Sequence, residues 1–126
     1  MKKNEIFSGV FIFLALTLNF DFVFGEFNNL EHHSIHILYI AILVNFIGTI
    51  LKFSDKTKMG GILISTSIVA LIQLLFAAAL WSWYNNFGIA VNDNNIFSIV
   101  SVAAGGLVAN FLSVIILVVE TSRIKR

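Results

Sequence analysis

Every histidine of the chain falls in one short run, Glu31-His32-His33-Ser34-Ile35-His36, with Glu26 shortly before it. Imidazole nitrogens and carboxylate oxygens are donors for divalent metals. If a helix begins early in this run, His32 and His36 stand at i and i+4 on one face, a spacing at which two imidazoles reach one ion, with Glu31 or Glu26 as oxygen ligand. His33 lies between them. A closed structural site takes four ligands, however, and no second ligand group such as H-x-E or C-x-x-C occurs elsewhere in the chain. A plainer reading makes the run a polar loop at a membrane edge, its histidines capping a helix and bonding to water or lipid headgroups. A third makes it a proton-responsive loop, since histidine is the side chain suited to switching near neutrality.

Asp21 is the second residue with chemical potential. A carboxylate at the middle of a bilayer costs about 2.5 to 3.5 kcal/mol on insertion scales, and such groups often mark ion or proton paths. Asp21 lies about one helical turn from Gly25, near enough to the end of its apolar run to reach water, which favours a hydrated interfacial acid. No Gly-x-Ser-x-Gly elbow, H-E-x-x-H helix, phosphate loop or dinucleotide fingerprint is present, so neither an enzyme nor a cofactor is expected. The chain has no cysteine, which excludes disulfides, thiolate nucleophiles and thiolate metal sites.

The elements that would position these groups follow from hydropathy. Of 126 residues, 58% are hydrophobic and only 12% charged, thirteen are phenylalanine and none is proline, and the mean hydropathy is +0.91. Too little polar surface is available to keep such a chain in water, so a bilayer is its expected solvent. Residues 6–20, 35–51, 59–84 and 96–119 are nearly free of charge. Each run is near or above the ~17 residues that a spanning helix requires. The expected architecture is one all-α transmembrane domain over 1–126, an up-down-up-down four-helix bundle with spans about 6–24, 35–53, 60–84 and 96–119. Asn19 and Asp21 interrupt the end of the first run, which favours a retained span over a cleaved leader.

Charge sets the expected orientation. Lys2 and Lys3 precede the first span, Lys52, Lys56 and Lys58 separate the second from the third, and Arg123, Lys125 and Arg126 follow the fourth. The other two connections carry Asp21, Glu26, Glu31 and Asp93 with no lysine or arginine. By the positive-inside rule both termini are cytoplasmic and the histidine run faces outward. Trp81, Trp83 and Tyr84, at the outer end of the third span, have the amphipathic rings of an interfacial belt. The basic residues are explained by topology and anionic lipid, and no nucleic-acid partner is expected.

Each span holds one carboxamide: Asn19, Asn45, Gln73 and Asn110. An unpaired amide in hydrocarbon is unfavourable, so each should turn toward another helix. Helical spacing supports this, because small residues share a face with each amide: Ser8 and Ala15 with Asn19, Ala41 and Gly48 with Asn45, Thr66, Ala70 and Ala77 with Gln73, and Ala103, Gly106 and Ser113 with Asn110. At ~1.5 Å rise per residue, Asn19 and Gln73 stand about 20 Å from the cytoplasmic ends of their helices, and Asn45 and Asn110 about 12 to 14 Å. Bridges are therefore expected between spans one and three at the upper level and between spans two and four at the lower. Gly48, Gly105, Gly106 and Ala109 are the expected close-packing positions, Gly105 and Ala109 forming a small-xxx-small pair inside the bundle or against another chain.

The segment Ala41 to Trp81 carries a further signal, chiefly in Leu43-Val44-Asn45-Phe46-Ile47-Gly48-Thr49-Ile50-Leu51-Lys52-Phe53-Ser54-Asp55-Lys56-Thr57, then Gly60, Ser65-Thr66-Ser67-Ile68-Val69-Ala70 and Gln73-Leu74. It resembles a family of small bacterial inner-membrane proteins of unassigned function. The resemblance implies four spans in a bacterial cytoplasmic membrane and transfers no catalytic residue. The expected function is that of a non-enzymatic accessory or structural subunit, surrounded by membrane lipid and working as a homo-oligomer or beside a larger membrane protein. The alternatives are a cation or proton transport component using Asp21 and the buried amides, and an outward metal-binding module using His32, His33, His36 and Glu31.

Overall fold

The computed structural model describes residues 3–25, 29–30, 33–53 and 58–124. The described residues form four α-helices and no strand: α1 (Lys3–Val23), α2 (Ile35–Lys52), α3 (Lys58–Asn86) and α4 (Ile96–Ile124). Each is built on a largely apolar run, free of proline, that lets backbone hydrogen bonds close within the segment, the arrangement a bilayer requires of a spanning chain. Stretches within α2, α3 and α4 (Ile35–Lys52, Gly60–Asn86 and Ile96–Glu120) are long and apolar enough to cross a membrane. The corresponding stretch of α1, Gly9–Val23, is shorter.

The helix ends have identifiable causes. Beyond α3, Ile89 N–H donates to the Tyr84 carbonyl (2.8 Å) and Gly88 N–H to the Asn85 carbonyl (3.2 Å), while Gly88 takes φ +71°. This is a Schellman closure, in which the residue after the last turn must be left-handed and glycine adopts that conformation without strain. Ahead of α4, the Asn92 side-chain oxygen accepts from the backbone N–H groups of Asn94 (2.9 Å) and Asn95 (3.2 Å), and the Asn95 amide donates to the Ala90 carbonyl (2.9 Å). The asparagine-rich segment is thus a set of side-chain turns that launches the last helix.

α1 packs on α2 and α4, and α3 packs on the same two, so the helices close a ring with α1 and α3 across from each other. Phe22 meets His33 near one end of the first pair, and Phe11 meets Gly48 further along, so α1 and α2 run in opposite directions. Gly9 against Leu117 with Asn19 against Gly106, and Thr66 against Ser113 with Gln73 against Gly105, give the same sense for α1 with α4 and α3 with α4.

Size is distributed unusually across this ring. Ala15, Ala41, Ala70, Ala77, Ala103 and Ala109 are buried, whereas Phe7, Phe13, Phe20, Phe46, Phe76 and Phe111 are exposed. A larger apolar cluster, centred on Phe22, Leu38, Leu74, Ile99 and Val100, fills the end where α1 finishes and α2 starts. Trp81 belongs to it at 8% exposure, while Trp83 stands 51% exposed. Trp81 is therefore a core residue and not part of the expected belt, because it continues the inward stripe of Ala70, Leu74 and Ala77 at helical spacing. Trp83 instead packs its ring at 5.1 Å from Phe87 and 5.6 Å from Tyr84 on the outside.

Candidate functional site

Three helices meet at Gly106. Were a Cβ added there, it would lie 3.2 Å from the backbone carbonyl oxygen of Ala70 on α3, 3.2 Å from Nδ2 of Asn19 on α1, and 3.4 Å from Cβ of Gln73. Glycine fits here because even a methyl group would press on another helix's backbone. Its neighbour Gly105 receives the end of Gln73, whose Cδ stands 3.1 Å from the equivalent point. The two glycines thus form a notch in α4 that seats one amide from α1 and one from α3.

Asn19 is 0% exposed, and neither its Nδ2 nor its Oδ1 has a hydrogen-bond partner. Asn110, 3% exposed, has an unpartnered Nδ2 as well. It follows Gly106 by four residues on α4, and because Cα–Cβ bonds tilt toward a helix's N-terminus its side chain leans back over the turn that carries Gly106. Below it, Thr66 and Ser113 share a hydrogen bond of 2.6 Å between α3 and α4, while Thr66 Oγ1 donates to the Leu63 carbonyl at 2.9 Å. The Thr66 hydroxyl has one hydrogen and spends it on Leu63, so Ser113 is the donor between the helices. A polar interior thus runs from Asn19 and Gln73 past Asn110 to Ser113, with no charged group among the residues that form it.

The expected bridges are not made as drawn. Asn45 is buried but gives its Nδ2 to the carbonyl of Ala41 on its own helix (2.8 Å), and Thr49 likewise bonds the carbonyl of Asn45 (2.8 Å). A carbonyl one turn back lies within reach of any helical asparagine, and here that local bond replaces the interhelical one to Asn110. At the upper level, Asn19 and Gln73 converge on the glycine notch of α4 instead of pairing across the ring. Gly48 packs against Phe11, with 3.5 Å between its hypothetical Cβ and that of Phe11, and Ala109 is buried.

Asp21 is exposed on the outside of α1, two residues and therefore slightly more than a half-turn away from Asn19. The acid does not join the amides. The histidines also separate: His33 is buried and donates its Nδ1 hydrogen to the carbonyl of Phe22 (2.6 Å), whereas His36 is exposed on the first turn of α2. Glu31 and His32 lie outside the described residues. Among the described residues no three His, Cys, Asp or Glu side chains come together as a metal-binding group. A link absent from the sequence reading joins the two turns at this end, where the backbone N–H of Leu30 donates to Asp93 Oδ1 at 2.8 Å.

Comparison with curated proteins gives no match, and comparison with solved structures gives none. A family model does match, over residues 32–121, which takes in α2, α3 and nearly all of α4, with Gln73, Gly105, Gly106 and Asn110, and leaves out α1 with Asn19. The chain therefore belongs to the DUF6394 family, a family of unknown function.

Proposed function

We propose that this protein crosses a bacterial inner membrane four times in up-down-up-down order, with both termini cytoplasmic, and serves as a non-enzymatic accessory or structural subunit through helix–helix contacts. The observation that carries the reading is the outer surface: phenylalanine, leucine and isoleucine are exposed along all four helices, while alanine, glycine and amides line much of the interior beside the Phe22 cluster. In water that arrangement would expose apolar surface far beyond what a soluble monomer tolerates, whereas in lipid it places large side chains against acyl chains and lets backbones approach. α1 shares the pattern, exposing Phe7, Val10, Phe13, Leu14 and Phe20. Its 21 residues extend about 31 Å, close to the ~30 Å of a hydrocarbon core, which supports a fourth crossing. The segregation of all eight basic residues supports the orientation.

A subunit needs neighbours, and a small chain coated in exposed aromatic and aliphatic side chains offers them on every side, either as further copies or as a larger membrane protein. Transport through the bundle has less support, because Asp21 faces away from the amide interior. The test is crosslinking in native membranes followed by purification in mild detergent. A defined oligomer or a stoichiometric membrane partner is expected. A monodisperse monomer that crosslinks to nothing, together with cation flux in liposomes that Asp21→Asn abolishes, would replace this reading with transport.

A further inference from the structure

The interior amides present a chemical problem that the bundle's own atoms do not solve. Asn19 Nδ2, Asn19 Oδ1 and Asn110 Nδ2 are all buried and all unpartnered. Leaving a buried donor or acceptor unsatisfied costs about 1 to 3 kcal/mol, and hydrocarbon outside the bundle offers no alternative partner. Asn45, which is also buried, escapes the problem by bonding Ala41 of its own helix. Asn19 does not, and is aimed instead at the glycine notch, its Nδ2 3.2 Å from where a Cβ on Gly106 would stand. Asn110 leans toward the same turn from α4.

We infer that the space around Asn19 and Asn110 at the Gly106 notch is a binding site for a small neutral hydrogen-bonding molecule, and that its resident is water. The chemistry of the unpaired set selects this class. Two amide N–H groups donate and one amide oxygen accepts, so the guest must both accept and donate. A bare cation would face two donor groups with no carboxylate to offset them, and an anion would be held in a low-dielectric interior without a basic partner. Water accepts two hydrogen bonds and donates two, and buried waters typically make about three bonds to groups of this kind. One molecule shared by Asn19 and Asn110 would link α1 to α4. The site is distinct from the lipid-facing surface and does not depend on what the outer face binds.

The experiment uses the full chain in lipid bilayers, with side-chain amides labelled with nitrogen-15 and water contacts read by proton-detected solid-state NMR. Water cross-peaks are expected at the side-chain amides of Asn19 and Asn110, with none at Asn45, whose amide is committed to Ala41. In Asn19→Leu the Asn110 cross-peak is lost. Should that variant fold poorly, Asn110→Leu supplies the reciprocal reading at Asn19. Direct amide-to-amide contact between Asn19 and Asn110 or Gln73 with no water signal would overturn the site. So would equal water contact at Asn45, which would mean a uniformly wet interior.

Discussion

His33 and Phe22 are joined by a 2.6 Å hydrogen bond in which the imidazole Nδ1–H donates to one of the last carbonyls of α1. The carbonyl can only accept, so the tautomer at this nitrogen follows from its partner. One histidine of the run that looked metal-binding thereby serves as a C-terminal cap for the preceding helix, with its ring 5.8 Å from that of Phe22. His33→Ala removes the donor and leaves a buried carbonyl exposed to hydrocarbon or to a cavity, and is expected to lower stability by about 1 to 3 kcal/mol. His33→Asn, which keeps an N–H donor, should recover part of the loss. Denaturation in mixed micelles measures both.

The three glycines of α3 and α4 for which surroundings differ should respond differently to one methyl group. Gly61 has nothing within 4 Å of a hypothetical Cβ, so Gly61→Ala is expected to be neutral or slightly stabilising through helix propensity. At Gly105 the methyl meets the mobile end of Gln73 and should cost little once that side chain shifts. At Gly106 it meets the Ala70 backbone carbonyl at 3.2 Å, which cannot move without the helix. Gly106→Ala should therefore lose about 1 to 3 kcal/mol, the most of the three, in the same denaturation assay.

Because the chain has no cysteine, single cysteines report orientation without background. Asn94→Cys, in the exposed turn before α4, is expected to react with a membrane-impermeant maleimide added to intact cells stripped of their outer membrane. Ser122→Cys, exposed near the end of α4, should react only after the membrane is opened. The reverse pattern would place the basic residues outside and invert the proposed topology.

Asp93 ties the two turns at one end of the bundle through Leu30 N–H. Asp93→Ala removes the only acceptor in that bond, and the Leu30 amide is expected to exchange with deuterium at least several-fold faster, with a stability change of about 1 kcal/mol. Amide exchange followed by mass spectrometry reads the local effect separately from the global one.

The helices and their inward stripes were legible because membrane helices announce themselves twice, by unbroken hydropathy and by the 3.6-residue spacing of small and polar side chains around each amide. Ala15 with Asn19, Ala41 with Asn45 and Gly48, and Ala103 with Gly106, Asn110 and Ser113 all face inward. What spacing does not encode is the rotation of one helix against another. Depth alone paired Asn45 with Asn110, yet the Ala41 carbonyl is always one turn away and wins. Depth also paired Asn19 with Gln73, whereas a notch in a third helix collects both. Trp81 differs for a related reason: proximity to the helix end suggests a surface ring, and its angular position puts it inside. The Asp93 link had no sequence signal, and the helix-capping reading of the histidines named the role of His33 but not the Phe22 carbonyl, because each contact depends on where two connections converge.

The Leu30 to Asp93 bond spans 63 residues of sequence. During synthesis the first hairpin is complete long before the acceptor has been translated, so the turn that follows α1 must wait for a carboxylate delivered by the second. The two partners are separated by the whole of α2 and α3, so a chain arrested after α3 would lack the acceptor for the Leu30 amide.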